Sequence, residues 1–162
     1  MTFSPALRRV GSAAIAALML GAAPAALFAE TPADTLVIAD AIDDIVSLDP
    51  AEAYEFSGLD VVNNIYNSLI ELDPTKPGEL VAGLAESWSV SEDGLTYSFK
   101  MKSGLAFASG NPVTAEDAAY SLIRAVKLNK SPAFILNQFG WPADNVEQMV
   151  KAEGDTLSIA TD

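Results

Sequence analysis

Residues 87–102 constrain the fold more than any other stretch, because they alternate in polarity around a turn. Trp88 and Val90 stand between Ser87, Ser89 and Ser91. After Glu92-Asp93-Gly94 the alternation resumes, with Leu95, Tyr97, Phe99 and Met101 on one side and Thr96, Ser98, Lys100 and Lys102 on the other. Successive side chains on a strand point to opposite faces, so a period of two means one apolar and one polar face. Asp-Gly supplies the tight turn that joins two such strands. The pattern predicts a β-hairpin with one buried face, which places Trp88, Tyr97 and Phe99 in a core before it makes them a ligand platform.

The remaining signals mix helix and strand. Thr35-Leu36-Val37-Ile38-Ala39 reads as an opening strand, followed by a polar, acidic connector to Leu48-Asp49-Pro50. Val61, Val62, Ile65, Tyr66, Leu69 and Ile70 are spaced as one face of a helix, broken by Asp73-Pro74-Thr75-Lys76-Pro77-Gly78. A turn-rich loop from Phe107 to Pro112 leads to Thr114 and Asp117, which resemble a capping box with Asp in place of Glu. Ala115, Ala118, Ala119, Leu122, Ile123 and Val126 continue as a helical stripe. Ser131-Pro132 opens a shorter helix through Phe139. Thr156-Leu157-Ser158-Ile159-Ala160 is a last strand with nothing after it to pair with. The pattern is α/β of mixed type, and several strands are expected to lack partners, as in the first part of a larger protein.

Residues 1–29 read as a signal peptide. Arg8 and Arg9 precede an uncharged apolar run from Val10 to Phe28, which ends in small residues before Glu30-Thr31-Pro32. Cleavage fits after Ala29, and Ala23-Pro24-Ala25 offers a second position. A retained membrane anchor is the competing reading, since 19 apolar residues nearly span a bilayer. Gly11, Gly21, Pro24 and the many alanines weaken it. No Cys follows the run, so the expectation is a soluble protein exported to the periplasm and not a lipoprotein.

The two arginines of that segment leave 7 basic and 22 acidic residues after it, a net charge of −15. An acidic surface of this kind excludes sequence-independent nucleic-acid binding, which needs a cationic face to displace counterions. The chain has no Cys and no His. It therefore carries no disulfide framework, thiol nucleophile or Ser-His-Asp triad of its own, and no cofactor or metal is expected. Asp49 before Pro50 reads as a turn starter, and Glu116-Asp117 sits in a helix first turn, where negative charge is favoured. Tyr54-Glu55-Phe56-Ser57-Gly58 stands apart: aromatics, a carboxylate and a hydroxyl lie between the first strand and the first long helix, where loops of open α/β sheets line ligand crevices.

A series of motifs in order carries a family resemblance. It runs through Leu48-Asp49-Pro50, Tyr66-Asn67-Ser68-Leu69-Ile70, Leu80-Val81-Ala82-Gly83-Leu84-Ala85-Glu86-Ser87-Trp88 and Ser91-Glu92-Asp93-Gly94-Leu95-Thr96-Tyr97-Ser98-Phe99. It continues through Phe107, Gly110-Asn111-Pro112-Val113-Thr114-Ala115-Glu116-Asp117 and Tyr120-Ser121-Leu122. The series closely resembles the start of the extracellular solute-binding proteins of the peptide/nickel type, family 5, whose members serve peptide ABC importers. The resemblance implies that residues 30–162 form the N-terminal portion of a two-lobed periplasmic binding protein of type II-like fold, an incomplete first lobe that includes a β-hairpin subdomain. It implies a peptide ligand, monomeric state and docking on the permease subunits of the inner membrane. It also implies that Tyr54, Phe56 and Ser57, with Glu55 beside them, face the ligand cleft. Ala108-Ser109 depart from the family, which often carries His or Asp in that loop, so the loop is given no ligand role.

Three functions follow. The first is a receptor for di- or oligopeptides, with nickel chelates or oligosaccharides as variants within the family. The second is a secreted hydrolase, for which the chain offers no Gly-x-Ser-x-Gly elbow and no obvious acid pair. The third is a truncated, non-binding fragment whose exposed strand edges would aggregate.

Overall fold

The computed structural model describes residues 31–162; the signal peptide expected over residues 1–29 lies outside the described residues. The chain divides into two units, Met1–Ala39 and Asp40–Asp162. In the first, the described residues form a turn, closed by the Thr35 N–H donating to the Pro32 carbonyl at 2.9 Å, and then extended coil. The strand expected over Thr35–Ala39 is not formed, and Leu36, Val37 and Ile38 are 82%, 68% and 76% exposed. A strand is stabilised by the ladder it shares with a neighbour, and among the described residues nothing pairs with this one.

The second unit begins with irregular chain and reaches helix α1 at Phe56–Ile65. The helix ends five residues earlier than its apolar spacing predicts. Tyr66 is extended, and Asn67 and Ser68, which favour turns over helix, separate it from Leu69 and Ile70. Ile70 instead opens strand β1 (Ile70–Leu72), antiparallel to β2 (Leu80–Ala82) in the register Ile70↔Ala82. The Asp73–Gly78 break is therefore a hairpin tip. The Asp73 carboxylate accepts from the Thr75 N–H and hydroxyl, each at 2.7 Å, and Gly78 takes a φ of 86°.

Strand β3 (Ala85–Val90) and strand β4 (Thr96–Met101) form the predicted hairpin, with Trp88 opposite Phe99 and Val90 opposite Tyr97. A register shift between Ala85 and Ser87 gives Glu86 no partner across the ladder, and its carboxylate pairs with Lys100 at 2.7 Å. Burial along the hairpin is graded. Phe99 and Met101 are 9% and 4% exposed, whereas Trp88, opposite Phe99 but on the edge strand β3, and Tyr97, nearer the tip, are each 37% exposed. The reason is the position of helix α2 (Ala115–Leu128), which packs over the other half of the sheet.

That other half is strand β5 (Val150–Glu153) and strand β6 (Thr156–Ala160), giving a four-stranded antiparallel sheet of order β3-β4-β6-β5. Strand β6 was expected to end the chain unpaired. It is instead an interior strand, with Leu157 opposite Phe99 on one side and Ala152 on the other. The preceding segment folds back through Gly154 (φ 62°) to supply the second partner. Leu157, Val126, Val146 and Val150 are the largest fully buried side chains, and Trp141 closes the core with its indole N–H donating to the Ala160 carbonyl at 2.7 Å.

Helix α2 starts as its sequence predicts. The Thr114 hydroxyl accepts from the Asp117 N–H and the Asp117 carboxylate accepts from the Thr114 N–H, the two halves of a capping box. Asn129 ends it in the left-handed conformation. The next helix, α3, is shorter than expected, Ala133–Asn137, and Pro132 rather than Ser131 takes the N-cap position. A last turn of helix, α4 (Val146–Met149), leads into β5. The fold is thus mixed α/β, a twofold-layered sheet and helix with a two-stranded hairpin beside it.

Candidate surface around the Ser47–Ser57 loop

The residues before α1 form no regular element, so their shape depends on hydrogen bonds that converge on Asp49. Its carbonyl accepts from the N–H groups of Glu52 (2.9 Å) and Ala53 (2.8 Å), and its N–H donates to the Ser47 hydroxyl at 3.1 Å. Its carboxylate accepts from the Ala51 N–H at 2.9 Å. The same carboxylate receives both terminal nitrogens of Arg124, on α2, the first at 2.9 Å. The pair is half-buried, with side-chain exposures of 35% for Arg124 and 30% for Asp49. The Arg124 hydrogen bond, followed by that of the Ala51 N–H, holds the Asp49 carboxyl below the usual carboxylate range, and the guanidinium is stabilised in turn.

A cavity of about 700 Å³ opens beside this pair, lined by Leu48, Asp49, Pro50, Tyr66, Tyr120 and Arg124 among others. A second, of about 520 Å³, lies under the Phe107 loop. Ala108 lines it, and the one carboxylate there, Asp117, is committed to the helix cap.

The four residues singled out from sequence follow the Asp49 turn along the chain, and none lines either cavity. Tyr54 is 47% exposed and meets the ring of Phe134, on α3, edge to face at 5.5 Å. Phe56, the first residue of α1, is 91% exposed. Glu55 and Ser57 are engaged locally: a Glu55 carboxylate oxygen accepts from the Tyr54 N–H at 3.2 Å, and the Ser57 hydroxyl donates to the Ala41 carbonyl at 2.9 Å. The outward-facing chemistry of the loop is thus aromatic.

Two participants were missed in the sequence. Arg124 is the only arginine after residue 29, and a lone Arg on a helix facing an Asp-Pro turn was the available signal. Phe134 follows Ser131-Pro132 and was counted only as part of a short helix; nothing local ties it to Tyr54, 80 residues earlier. Among the described residues no group of carboxylates is arranged to hold a metal ion, and no helix is long and apolar enough to cross a membrane.

Comparison with known proteins agrees with this architecture. The chain is 28% identical over 156 residues to the periplasmic murein peptide-binding protein of Escherichia coli, covering 88% of this chain and 28% of that protein. It is 33% identical over 118 residues to a dipeptide-binding protein of Lactococcus lactis, covering 72% of this chain and 21% of the relative. Among solved structures, a periplasmic oligopeptide-binding protein of Borrelia burgdorferi superposes with a TM-score of 0.63 at 25% identity, covering 71% of this chain and 25% of that one. The chain therefore spans only 21% to 28% of the length of these relatives. Residues 79–162 match the bacterial extracellular solute-binding proteins, family 5 Middle, and the chain belongs to that family.

Proposed function

We propose that this chain is the N-terminal portion of a periplasmic peptide receptor that delivers di- or oligopeptides to an ABC permease, and that Tyr54, Glu55, Phe56 and Ser57 contribute to its ligand surface. The observation that carries the reading is the loop itself. It presents an exposed aromatic, Phe56, beside an aromatic pair, Tyr54 and Phe134, on a scaffold of the oligopeptide-binding type. Exposed aromatic surface suits an extended peptide, whose side chains need only apolar contact. Glu55 and Ser57 contribute in this arrangement by fixing the loop that presents Tyr54 and Phe56. Closure of two lobes on the peptide and recognition of the closed form by the permease belong to the same proposal. So do the periplasmic location after cleavage of residues 1–29, the monomeric state and the absence of catalysis.

The test starts from the intact mass of the protein recovered from the periplasm of its source cells, followed by calorimetric titration of that species with trialanine. Binding without turnover is expected, and Phe56→Ala should weaken it by about tenfold while leaving folding stability unchanged, since the side chain is exposed. Peptide cleavage, or binding indifferent to both Phe56→Ala and Tyr54→Ala, would refute the assignment of the loop.

A further inference from the structure

We propose that Arg124 is a positioning residue for the Tyr54–Ser57 loop, acting through Asp49; the inference rests on the ligand role proposed above for that loop. The segment between Ser47 and Phe56 has no strand or helix to fix it, and its internal hydrogen bonds radiate from Asp49, apart from the Tyr54 N–H donating to the Glu55 carboxylate. A turn closed only on itself is free to swing as a unit. What ties this one to the sheet-and-helix body is a contact across 75 residues of sequence, the two-pronged bond from Arg124.

The type of residue matters. A guanidinium that meets both oxygens of a carboxylate fixes its rotation as well as its position, whereas a lysine ammonium is a point charge that leaves rotation free. Asp49 shares its carboxylate with the Ala51 N–H, so holding the carboxylate plane also holds the backbone that runs through Ala53 into Tyr54. Ala51 and Ala53, 4% and 0% exposed, seat the turn but are too small to orient it. The other ties are looser. Lys130 and Glu52 stand 3.8 Å apart with exposed side chains, a weak arrangement, and the Tyr54–Phe134 contact is a single ring edge. Every other basic residue after position 29 is a lysine, and the one arginine stands where planar two-point recognition is used. Arg124 thus sets the angle at which Tyr54 and Phe56 are presented.

Site-resolved amide exchange by NMR on the purified chain tests this without any ligand. In Arg124→Met the amides of Ala51, Ala53 and Leu59 should exchange about tenfold faster, those of Phe99 and Leu157 should stay within about twofold, and the Phe134 ring resonances should move. Arg124→Lys should loosen the same amides to a smaller degree. Equal acceleration at both groups of amides would overturn the proposal, because it would make Arg124 a contributor to global stability alone. So would unchanged exchange at Ala51 and Ala53. Trialanine titration of the periplasmic species separates this from the ligand reading. A loosened loop with affinity indifferent to both Arg124→Met and Phe56→Ala upholds the positioning and refutes the ligand role. Weakened binding in Phe56→Ala with an unaltered loop in Arg124→Met does the reverse.

Discussion

Leu157→Ala tests whether β6 is an interior strand. Leu157 is 0% exposed, stands between Phe99 and Ala152 in the register, and is the largest fully buried side chain. Replacement by Ala removes three carbons, worth about 2.4 kcal/mol of transfer free energy at about 0.8 kcal/mol per methylene. The sheet is fixed on both sides and covered by α2, so the space left can close only in part, which brings the total to about 3–5 kcal/mol. Urea unfolding followed by circular dichroism reads this as a lower midpoint at unchanged slope. Val90→Ala is the control: Val90 is 49% exposed near the hairpin tip and should cost no more than about 0.5 kcal/mol. The wild-type stability of a domain is about 5–15 kcal/mol, so Leu157→Ala should still fold in the cold. A loss below about 1 kcal/mol, equal to that of an edge position, would refute both the register and the coverage by α2.

Other outcomes follow from single contacts. Asp117→Ala should cost about 1 kcal/mol by removing one half of the capping box, and Asp117→Asn less, read as thermal midpoints. Gly94→Ala meets no neighbour within 4 Å, yet should lose about 1 kcal/mol because φ is 77°; Gly94→Asn, which tolerates that region, should lose less in the same urea series. The folded carboxyl of Asp49 lies below its reference value of 3.8, so its contribution to stability is complete above that pH and is lost as pH falls through the folded value. Stability measured against pH should therefore decline on the acid side less steeply in Asp49→Asn than in the wild type.

What the sequence made legible was local. The β3–β4 hairpin, the Thr114–Asp117 box and the Phe107 loop were readable because period, turn residue and cap lie within a few positions of one another. The helix extended to Ile70 shows the limit of that method. The spacing of 61, 62, 65, 66, 69 and 70 fits a helix, but the strand pairing of Ile70 with Ala82 decides otherwise, and pairing is not written in spacing. Strand β5 was missed although Val150 to Ile159 alternates loosely around Gly154, because Lys151 and Glu153 masked a short strand. Burial was the least legible quantity: Trp88 and Phe99 carry the same alternation signal and stand opposite each other, but Trp88 lies on the edge strand and Phe99 on an interior one.

The same division runs through the acidic residues. Asp49-Pro50-Ala51, Asp73-Pro74-Thr75 and Asp93-Gly94-Leu95 each place a carboxylate so that it accepts from the N–H two residues on, at 2.9, 2.7 and 3.0 Å. This is the turn that aspartate makes with its own backbone, and all three carboxyls are held below their reference value by hydrogen bonds. Proline or glycine after the aspartate makes each turn readable from three letters. Two of them remain what those letters say. Asp73 and Asp93 sit on hairpin tips and bond only to residues within their own loops. Asp49 uses the same local chemistry but leaves its carboxylate edge open to a second helix, and Arg124 takes it. A turn becomes part of a site when a distant side chain fixes its orientation, and that step is supplied by the fold rather than by the turn sequence.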